Sequence, residues 1–241
     1  MPAIWYKCQV LDVEIVNSSV RRFFLSVGND FPGFRAGQFI TFDLPVGEKR
    51  LHRWKSYSIA NAPNGDGILE LCIVRHAQGY GTTYLFEEVA KGSTLTFKGP
   101  EGNFVLPQNL ADINLIMVCT GTGIAPFRSM ILDVINRQLP FKKIHLIFGA
   151  RKEEDILYRK EMEMLSSTHP NFLYDVCLSQ GPDWPGFKGY VHQVYLEKYA
   201  TAQTENVFYL CGWTKMIDEA VANLITRLGY DKSQIKYELY G

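Results

Sequence analysis

Residues 113–135 read Ile-Asn-Leu-Ile-Met-Val-Cys-Thr-Gly-Thr-Gly-Ile-Ala-Pro-Phe-Arg-Ser-Met-Ile-Leu-Asp-Val-Ile. The stretch opens with an apolar run, Leu115 to Cys119, of the kind a buried parallel strand needs. The run stops at Thr120-Gly121-Thr122-Gly123. Beyond it, Phe127, Met130, Ile131, Val134 and Ile135 form one apolar stripe at helical spacing. Pro126 fits the first helical position, where the amide it lacks would have had no partner. The prediction is strand, glycine turn, helix. Such a turn aims backbone N–H groups and the positive end of a helix dipole at one point, which favours a phosphate or diphosphate. Pro126 stands where the dinucleotide fingerprint has its third glycine, so the turn alone reads equally well as a tight connection.

Downstream, the pattern repeats. Apolar strands are expected at Leu115 to Cys119, Ile144 to Phe148, Phe172 to Leu178 and Val207 to Cys211. Helices are expected at Pro126 to Asn136, Glu153 to Leu165, Gly189 to Tyr199 and Thr214 to Leu228. The last has an apolar stripe, a capping Thr214 and a stop at Gly229. Strand–helix alternation of this kind predicts an open parallel sheet covered by helices. Ligands of such sheets lie outside the carboxyl ends of the strands. Three strand ends carry notable residues: Thr120 to Gly123, Ser179-Gln180 and Cys211-Gly212. The structural alternative for Cys211 is a small buried residue.

Upstream, the period changes. Residues 4–106 read as short strands at Ile4 to Val16, Val20 to Val27, Gln38 to Leu44, Arg53 to Ala60, Ile68 to Arg75 and Thr94 to Lys98. Glycine and proline turns separate them, and one helix, Thr83 to Ala90, interrupts them. This pattern predicts a small antiparallel barrel or sandwich. The turn-like Pro107-Gln108-Asn109 marks the boundary, giving domains over residues 1–108 and 109–241.

Two pieces of the first half carry possible chemistry. On a strand through Leu51 to Asn61, Arg53, Lys55 and Tyr57 share one face. Two cations beside a tyrosine suit a diphosphate with a ring stacked nearby, although a solvated edge face explains the charges as well. Val74-Arg75-His76-Ala77-Gln78-Gly79-Tyr80-Gly81-Thr82-Thr83 leads into a helix. Amides and hydroxyls at that start form a second anion site or an ordinary cap.

Composition narrows the class. Apolar content of 46% and charged content of 21% fit a globular chain with a full core. A formal net charge of zero gives no reason to expect nucleic acid or an acidic membrane as partner. No apolar stretch approaches the ~20 residues of a membrane span, and no secretory signal is visible. The five cysteines, at 8, 72, 119, 177 and 211, are widely scattered. That spacing fits reduced thiols in a cytoplasmic protein and not an iron–sulfur or zinc site.

The order of these motifs carries a resemblance. Arg35-Ala36-Gly37-Gln38-Phe39, Tyr57-Ser58, Gly79-Tyr80-Gly81-Thr82-Thr83, Gly99-Pro100-Glu101-Gly102-Asn103-Phe104, Gly121-Thr122-Gly123-Ile124-Ala125-Pro126, Cys211-Gly212 and Glu238-Leu239-Tyr240 follow one another along essentially the whole chain. The chain resembles the ferredoxin–NADP reductase family of flavin-dependent oxidoreductases. The resemblance implies an N-terminal antiparallel FAD-binding β-barrel followed by a parallel-sheet domain that binds a nicotinamide dinucleotide. It implies that Tyr57 lines the flavin and that Ser58 hydrogen-bonds near flavin N5. It places Val74, Gly81, Thr82 and Thr83 on FAD, the last three at its diphosphate. Thr120, Gly121, Thr122 and Gly123 would meet the nicotinamide nucleotide. Cys211, with Gly212, would lie beside the nicotinamide, Glu238 would complete its hydrogen-bonded network, and Tyr240 would stack on the isoalloxazine. The implied catalytic set is Ser58, Cys211, Glu238 and Tyr240, and no metal is implied.

Two departures from the family pattern bear on specificity. Lys55 stands where the family usually has arginine, and lysine cannot grip a diphosphate bidentately. Either Lys55 acts as a point charge or Arg53 takes over. Gln180 follows Ser179 where NADP-using relatives commonly place arginine, so NADH is favoured over NADPH unless Lys188 or Tyr190 compensates. The implied activity is electron transfer from NAD(P)H through FAD to a separate one-electron acceptor, such as a ferredoxin, a flavodoxin or an oxygenase component. Lys49, Arg50, His52 and Arg53 would recruit such an acidic partner, although a solvated loop explains these charges equally well. The alternatives are release of reduced free flavin and a non-catalytic subunit of a larger complex.

Overall fold

The computed structural model describes residues 3–240, with the side chain of Tyr240 outside the described set. It divides into two compact units. One holds residues 1–105 and 125–137; the other holds 106–124 and 138–241.

The first unit is an antiparallel sheet of β1 (Trp5–Ile15), β2 (Val20–Val27), β3 (Phe39–Asp43), β4 (Trp54–Ser58), β5 (Ile68–Val74) and β6 (Thr94–Glu101), in the order β4-β3-β6-β1-β2-β5. Alternation along β1 and β2 turns Tyr6, Cys8, Val10, Phe23 and Leu25 inward. With Ile40, Phe42, Leu69, Leu71 and Phe97 they fill the interior. The edge strands meet where Ile59, just past β4, bridges to Leu71 of β5, and the Ala60 amide donates to the Glu70 carbonyl at 2.7 Å. The sheet is thereby a closed barrel, the first of the two architectures, barrel and sandwich, that the strand spacing left open and the one the family resemblance implies. A short α1 (Arg50–Arg53) precedes β4, and α2 (Tyr80–Glu87) follows β5. Most of α3 (Ile124–Asn136) also belongs to this unit.

The second unit is a parallel sheet. β7 (Asn114–Thr120), β8 (Lys143–Ala150), β9 (Phe172–Leu178), β10 (Phe187–Lys188), β11 (Asn206–Trp213) and β12 (Ile235–Tyr240) lie in the order β10-β9-β8-β7-β11-β12. The register puts Cys119 beside Phe148 on one side and Cys211 on the other. Every residue of β7 from Asn114 to Cys119 is buried, which is why that strand reads as a continuous apolar run. On one face of the sheet, α5 (His192–Lys198) and α6 (Thr214–Ala222) cover Ile116, Val118, Ile147, Phe208 and Leu210. A further helix, α4 (Arg159–Thr168), buries Met162 and Leu165.

Several expected boundaries move, each for a local reason. Pro126 is the third residue of α3, still in the first turn where a missing amide costs nothing. The helix expected at 153–165 is a 3-10 turn, Glu153–Asp155, and then α4. Tyr158 between them has φ 54°, and a left-handed residue cannot continue a right-handed helix. The helix that begins at Thr214 has Trp213, not Thr214, at its cap, and widens after Ala222 into a π turn at Asn223–Arg227. Arg53 closes α1 and is not a strand neighbour of Lys55 and Tyr57. Strands β10 and β12 went unpredicted. Among the described residues no helix is long and apolar enough to cross a membrane.

Candidate functional site

The barrel unit gathers its candidate residues at the exit of β4 and the entrance of α2. Tyr57 pairs with Ile40 and Ser58 with Phe39 across β3. The Tyr57 ring lies 5.9 Å from that of Phe42, and burial holds its hydroxyl above the ordinary phenol range. Ser58 is buried at the strand end. Helix α2 begins at Tyr80, three residues earlier than expected, so Gly81, Thr82 and Thr83 form its first turn. The first amides of a helix have no partner within it. Lys55 runs directly against this turn: a methyl group on Gly81 would lie 2.8 Å from Lys55 Cγ and 3.3 Å from Leu44 Cδ1. Only glycine lets the lysine stem and the helix start approach so closely. The free amides of a helix start with a lysine side chain packed on them suit a diphosphate.

Two expected diphosphate ligands have other partners. Arg53 Nε and NH2 reach both oxygens of Asp43, at 2.8 and 2.7 Å. This bidentate pair neutralises the guanidinium, so Lys55 is left as the cation of the cradle. The Thr82 hydroxyl accepts from the His76 amide at 3.1 Å and has the Gly79 carbonyl at 3.1 Å, bracing the loop that leads into α2. Val74 ends β5 opposite Val20. Lys55 Nζ itself donates to the Leu51 carbonyl at 3.0 Å.

In the sheet unit the predicted residues converge at the carboxyl ends of the strands. Gly121–Gly123 form a 3-10 turn directly after Thr120. A methyl group on Gly123 would sit 2.3 Å from the Cys211 carbonyl oxygen. One on Gly212, whose φ is +144°, would sit 2.5 Å from Thr120 Oγ1. The two glycines therefore let the β7 turn lie on the end of β11. Gly149 ends β8 in the same way, with Thr120 Cγ2 and Val191 Cγ1 where its methyl would be. Sequence reading missed it, although a glycine closing the apolar run Ile144 to Phe148 was a signal. Cys211 pairs in register with Glu238 of β12, the strand that sequence reading did not see.

The electrostatics here are those of a dry wall. Cys211 and Cys119 are fully buried. Burial first, and the neighbouring Cys211 second, push the Cys119 thiol well above its ordinary value. Thr120 Oγ1 is buried and has no hydrogen-bond partner among the described residues. An orphaned hydroxyl beside a glycine turn is the feature a bound polar ligand would satisfy. Ser179 and Gln180 are exposed, their amides bonded to Ala150 and Arg151 carbonyls at 3.1 and 2.8 Å. Lys188 Nζ donates to the Pro182 carbonyl at 2.5 Å, and Tyr190 is exposed. The Tyr240 side chain lies outside the described residues. No group of three or more metal-ligating side chains occurs among the described residues.

A barrel with a cation-backed helix start, and a parallel sheet with a glycine turn and an orphaned hydroxyl, define a two-domain dinucleotide-binding protein. Comparison with known proteins agrees. Residues 7–106 match the oxidoreductase FAD-binding domain and residues 117–222 the oxidoreductase NAD-binding domain. Ferredoxin–NADP reductase B of Sorangium cellulosum is 33% identical over 213 residues, 86% of this chain and 85% of that protein. The phenol hydroxylase P5 protein of Acinetobacter pittii is 31% identical over 223 residues; the match takes in 91% of this chain but spans only 61% of that relative. The cytochrome P450 reductase GcoB of Amycolatopsis superposes with a TM-score of 0.87 at 25% identity, covering 99% of this chain and 70% of its own. The chain belongs to the ferredoxin–NADP reductase-like family.

The glycine approaches give a direct test. Gly123→Ala is expected to lose about 1–3 kcal/mol of stability in urea unfolding, the usual cost of overpacking. Gly121→Ala meets no atom within 4 Å, and its expected loss is the left-handed strain of φ +53° alone, about 1 kcal/mol, so the Gly123 variant is expected to be the less stable of the two. Equal losses would mean that the turn does not rest on Cys211.

Proposed function

We propose that the chain is an FAD-dependent oxidoreductase that passes electrons from NAD(P)H to a separate one-electron acceptor. Residues 1–108 serve the flavin and 109–241 the dinucleotide. The observation that carries the reading is the pair of glycine-enabled cradles, Lys55 against Gly81 and Thr120 against Gly212, each in the domain type that its chemistry requires. FAD, when bound, accepts a hydride from the reduced nicotinamide and gives up electrons singly.

The chain's own residues bind, orient and keep out water. Lys55 and the first turn of α2 hold the diphosphate of FAD, with Lys55 as a point charge. Tyr57 lines the flavin, and the Ser58 hydroxyl sits at the reacting edge. In the sheet unit, the Thr120–Gly123 turn takes the dinucleotide, and Thr120 Oγ1 finds its partner there. Cys211 and Glu238, neighbours across β11 and β12, position the nicotinamide. Gln180 at the end of β9, with Lys188 held by Pro182, supports NADH over NADPH. Five free thiols, all buried, fit a cytoplasmic setting.

The acceptor is a small acidic redox protein. Supporting this, Lys49 and Arg50, at the cap and first position of α1, are exposed, Leu51 is 79% exposed and Arg50 lies 3.7 Å over the Trp54 ring. Arg53, neutralised by Asp43, drops out of this patch. Turnover with an acidic acceptor should therefore fall as ionic strength rises from about 0.05 to about 0.5 M, and Lys49→Gln with Arg50→Gln should flatten that dependence. A salt-independent rate would refute recruitment by charge.

The site assignment has its own test. Ser58→Ala and Cys211→Ala are each expected to slow single-turnover flavin reduction by about tenfold or more, roughly 1.4 kcal/mol of barrier, with smaller changes in dinucleotide Kd. An unchanged rate in both variants would remove Ser58 and Cys211 from the mechanism.

A further inference from the structure

A buried charge cluster at the barrel seam has no part in the site described above. Glu70 of β5 is 3% exposed. Its Oε1 accepts from Arg22 Nε at 2.7 Å and its Oε2 from Arg128 NH1 at 2.9 Å. Arg128 lies on α3 and is 8% exposed. The same NH1 donates to the Ala60 carbonyl at 2.8 Å. One residue on, Ser129 Oγ donates to the Asn61 carbonyl at 2.6 Å. The Asn61 side chain completes the weave. Its Oδ1 accepts from the Glu70 amide at 2.8 Å, and its Nδ2 donates to the Ile68 carbonyl at 2.8 Å.

These contacts fall on one short segment. Ala60 and Asn61 are the second and third residues after Ser58. Their amide and carbonyl groups would serve equally well as ordinary turn atoms facing water. Instead both carbonyls accept from side chains of α3, and the Ala60 and Ile59 amides are taken by the Glu70 and Gln38 carbonyls. A carboxylate buried between two guanidiniums is a poor source of net stability, because desolvation of three charges offsets their attraction. What such a cluster does supply is a fixed geometry. Arginine suits the task because the two N–H bonds of NH1 are fixed in the guanidinium plane and reach Glu70 and Ala60 together, whereas a lysine ammonium rotates freely.

We propose that Arg128, with Ser129 beside it, is a positioning residue for the flavin-binding strand: it clamps the Ser58–Asn61 segment so that the Ser58 hydroxyl is held in place for the flavin. The proposal rests on the flavin reading of Ser58. A hydroxyl displaced by about 1 Å from its reacting partner can cost on the order of a hundredfold in rate, so the clamp acts on chemistry without touching the cofactor.

The test uses the full chain with Arg128→Met, Arg128→Lys and Ser129→Ala. Amide hydrogen exchange at Ile59 and Ala60 is followed without cofactor. FAD affinity, dinucleotide Kd and single-turnover flavin reduction are measured on the loaded protein. Arg128→Met is expected to speed exchange at Ile59 and Ala60 by about tenfold more than at Phe23 and Leu25 in the barrel core. Flavin reduction at saturating dinucleotide is expected to slow by about 10- to 100-fold, with dinucleotide Kd little changed. Arg128→Lys should recover part of the rate, and Ser129→Ala should show the same pattern more weakly. Exchange that rises equally across the barrel, with a rate loss that only tracks lost FAD, would make Arg128 a stability element and overturn the proposal. Should Arg128→Met fail to fold, unchanged exchange and unchanged rate in the other two variants overturn it as well. A wild-type chain that takes up no FAD would instead sink the flavin reading and the clamp's role in chemistry, while the exchange result still decides whether the clamp exists.

Discussion

A carboxylate withdrawn from water must be met by partners in fixed positions, and Glu70 is met by Arg22 and Arg128 at the point where the barrel closes. A six-stranded sheet this short has two edges to hide, and it hides them by joining β4 to β5 through Ile59 and Leu71. The seam is thus both a structural necessity and the place from which Ser58 emerges. Apolar packing by Leu25, Ile40, Leu71 and Phe97 supplies the bulk of the stabilisation. It would tolerate a strand end displaced by an ångström. Hydrogen bonds to Ala60 and Asn61 do not, and in this respect the polar seam adds what the greasy interior lacks.

The second unit obeys a different constraint. Parallel strands in register end together, so six carboxyl ends fall along one rim and whatever is placed there is gathered without further design. Glycine at 123, 149 and 212 lets neighbouring backbone and side-chain atoms approach where a Cβ would collide. The result is a wall dry enough to raise the Cys119 thiol and to leave Thr120 Oγ1 without a partner. A buried hydroxyl in that state costs about 1–3 kcal/mol. Such a cost persists where a ligand relieves it.

Much of this was legible in the residues. Two periodicities, alternation in the first half and uninterrupted apolar runs in the second, separate a barrel from a parallel sheet, and the period of burial in β1 and β7 explains why. The glycine turn at 121–123 was legible as well, since few other sequences join such a strand to such a helix. What escaped was nonlocal. That Asp43 would hold Arg53 depends on a strand pairing ten residues away. That Arg128 interrupts an apolar helix face for the sake of Glu70 depends on a partner 58 positions earlier. Strand β12 escaped because Lys236, Glu238 and the half-exposed Tyr237 and Leu239 give an edge strand neither a clean alternation nor an apolar run. Arg53 shows the same limit: the sequence offers it beside Lys55 as a possible diphosphate cation, and the structure pairs it with Asp43.

The most direct measurement is a visible absorption spectrum of the protein loaded with FAD under anaerobic conditions, titrated in turn with NADH and NADPH. The account predicts flavin bands that bleach with both dinucleotides, and with NADH at the lower concentration. A protein that takes up no FAD, or whose flavin bands neither dinucleotide bleaches, would contradict it.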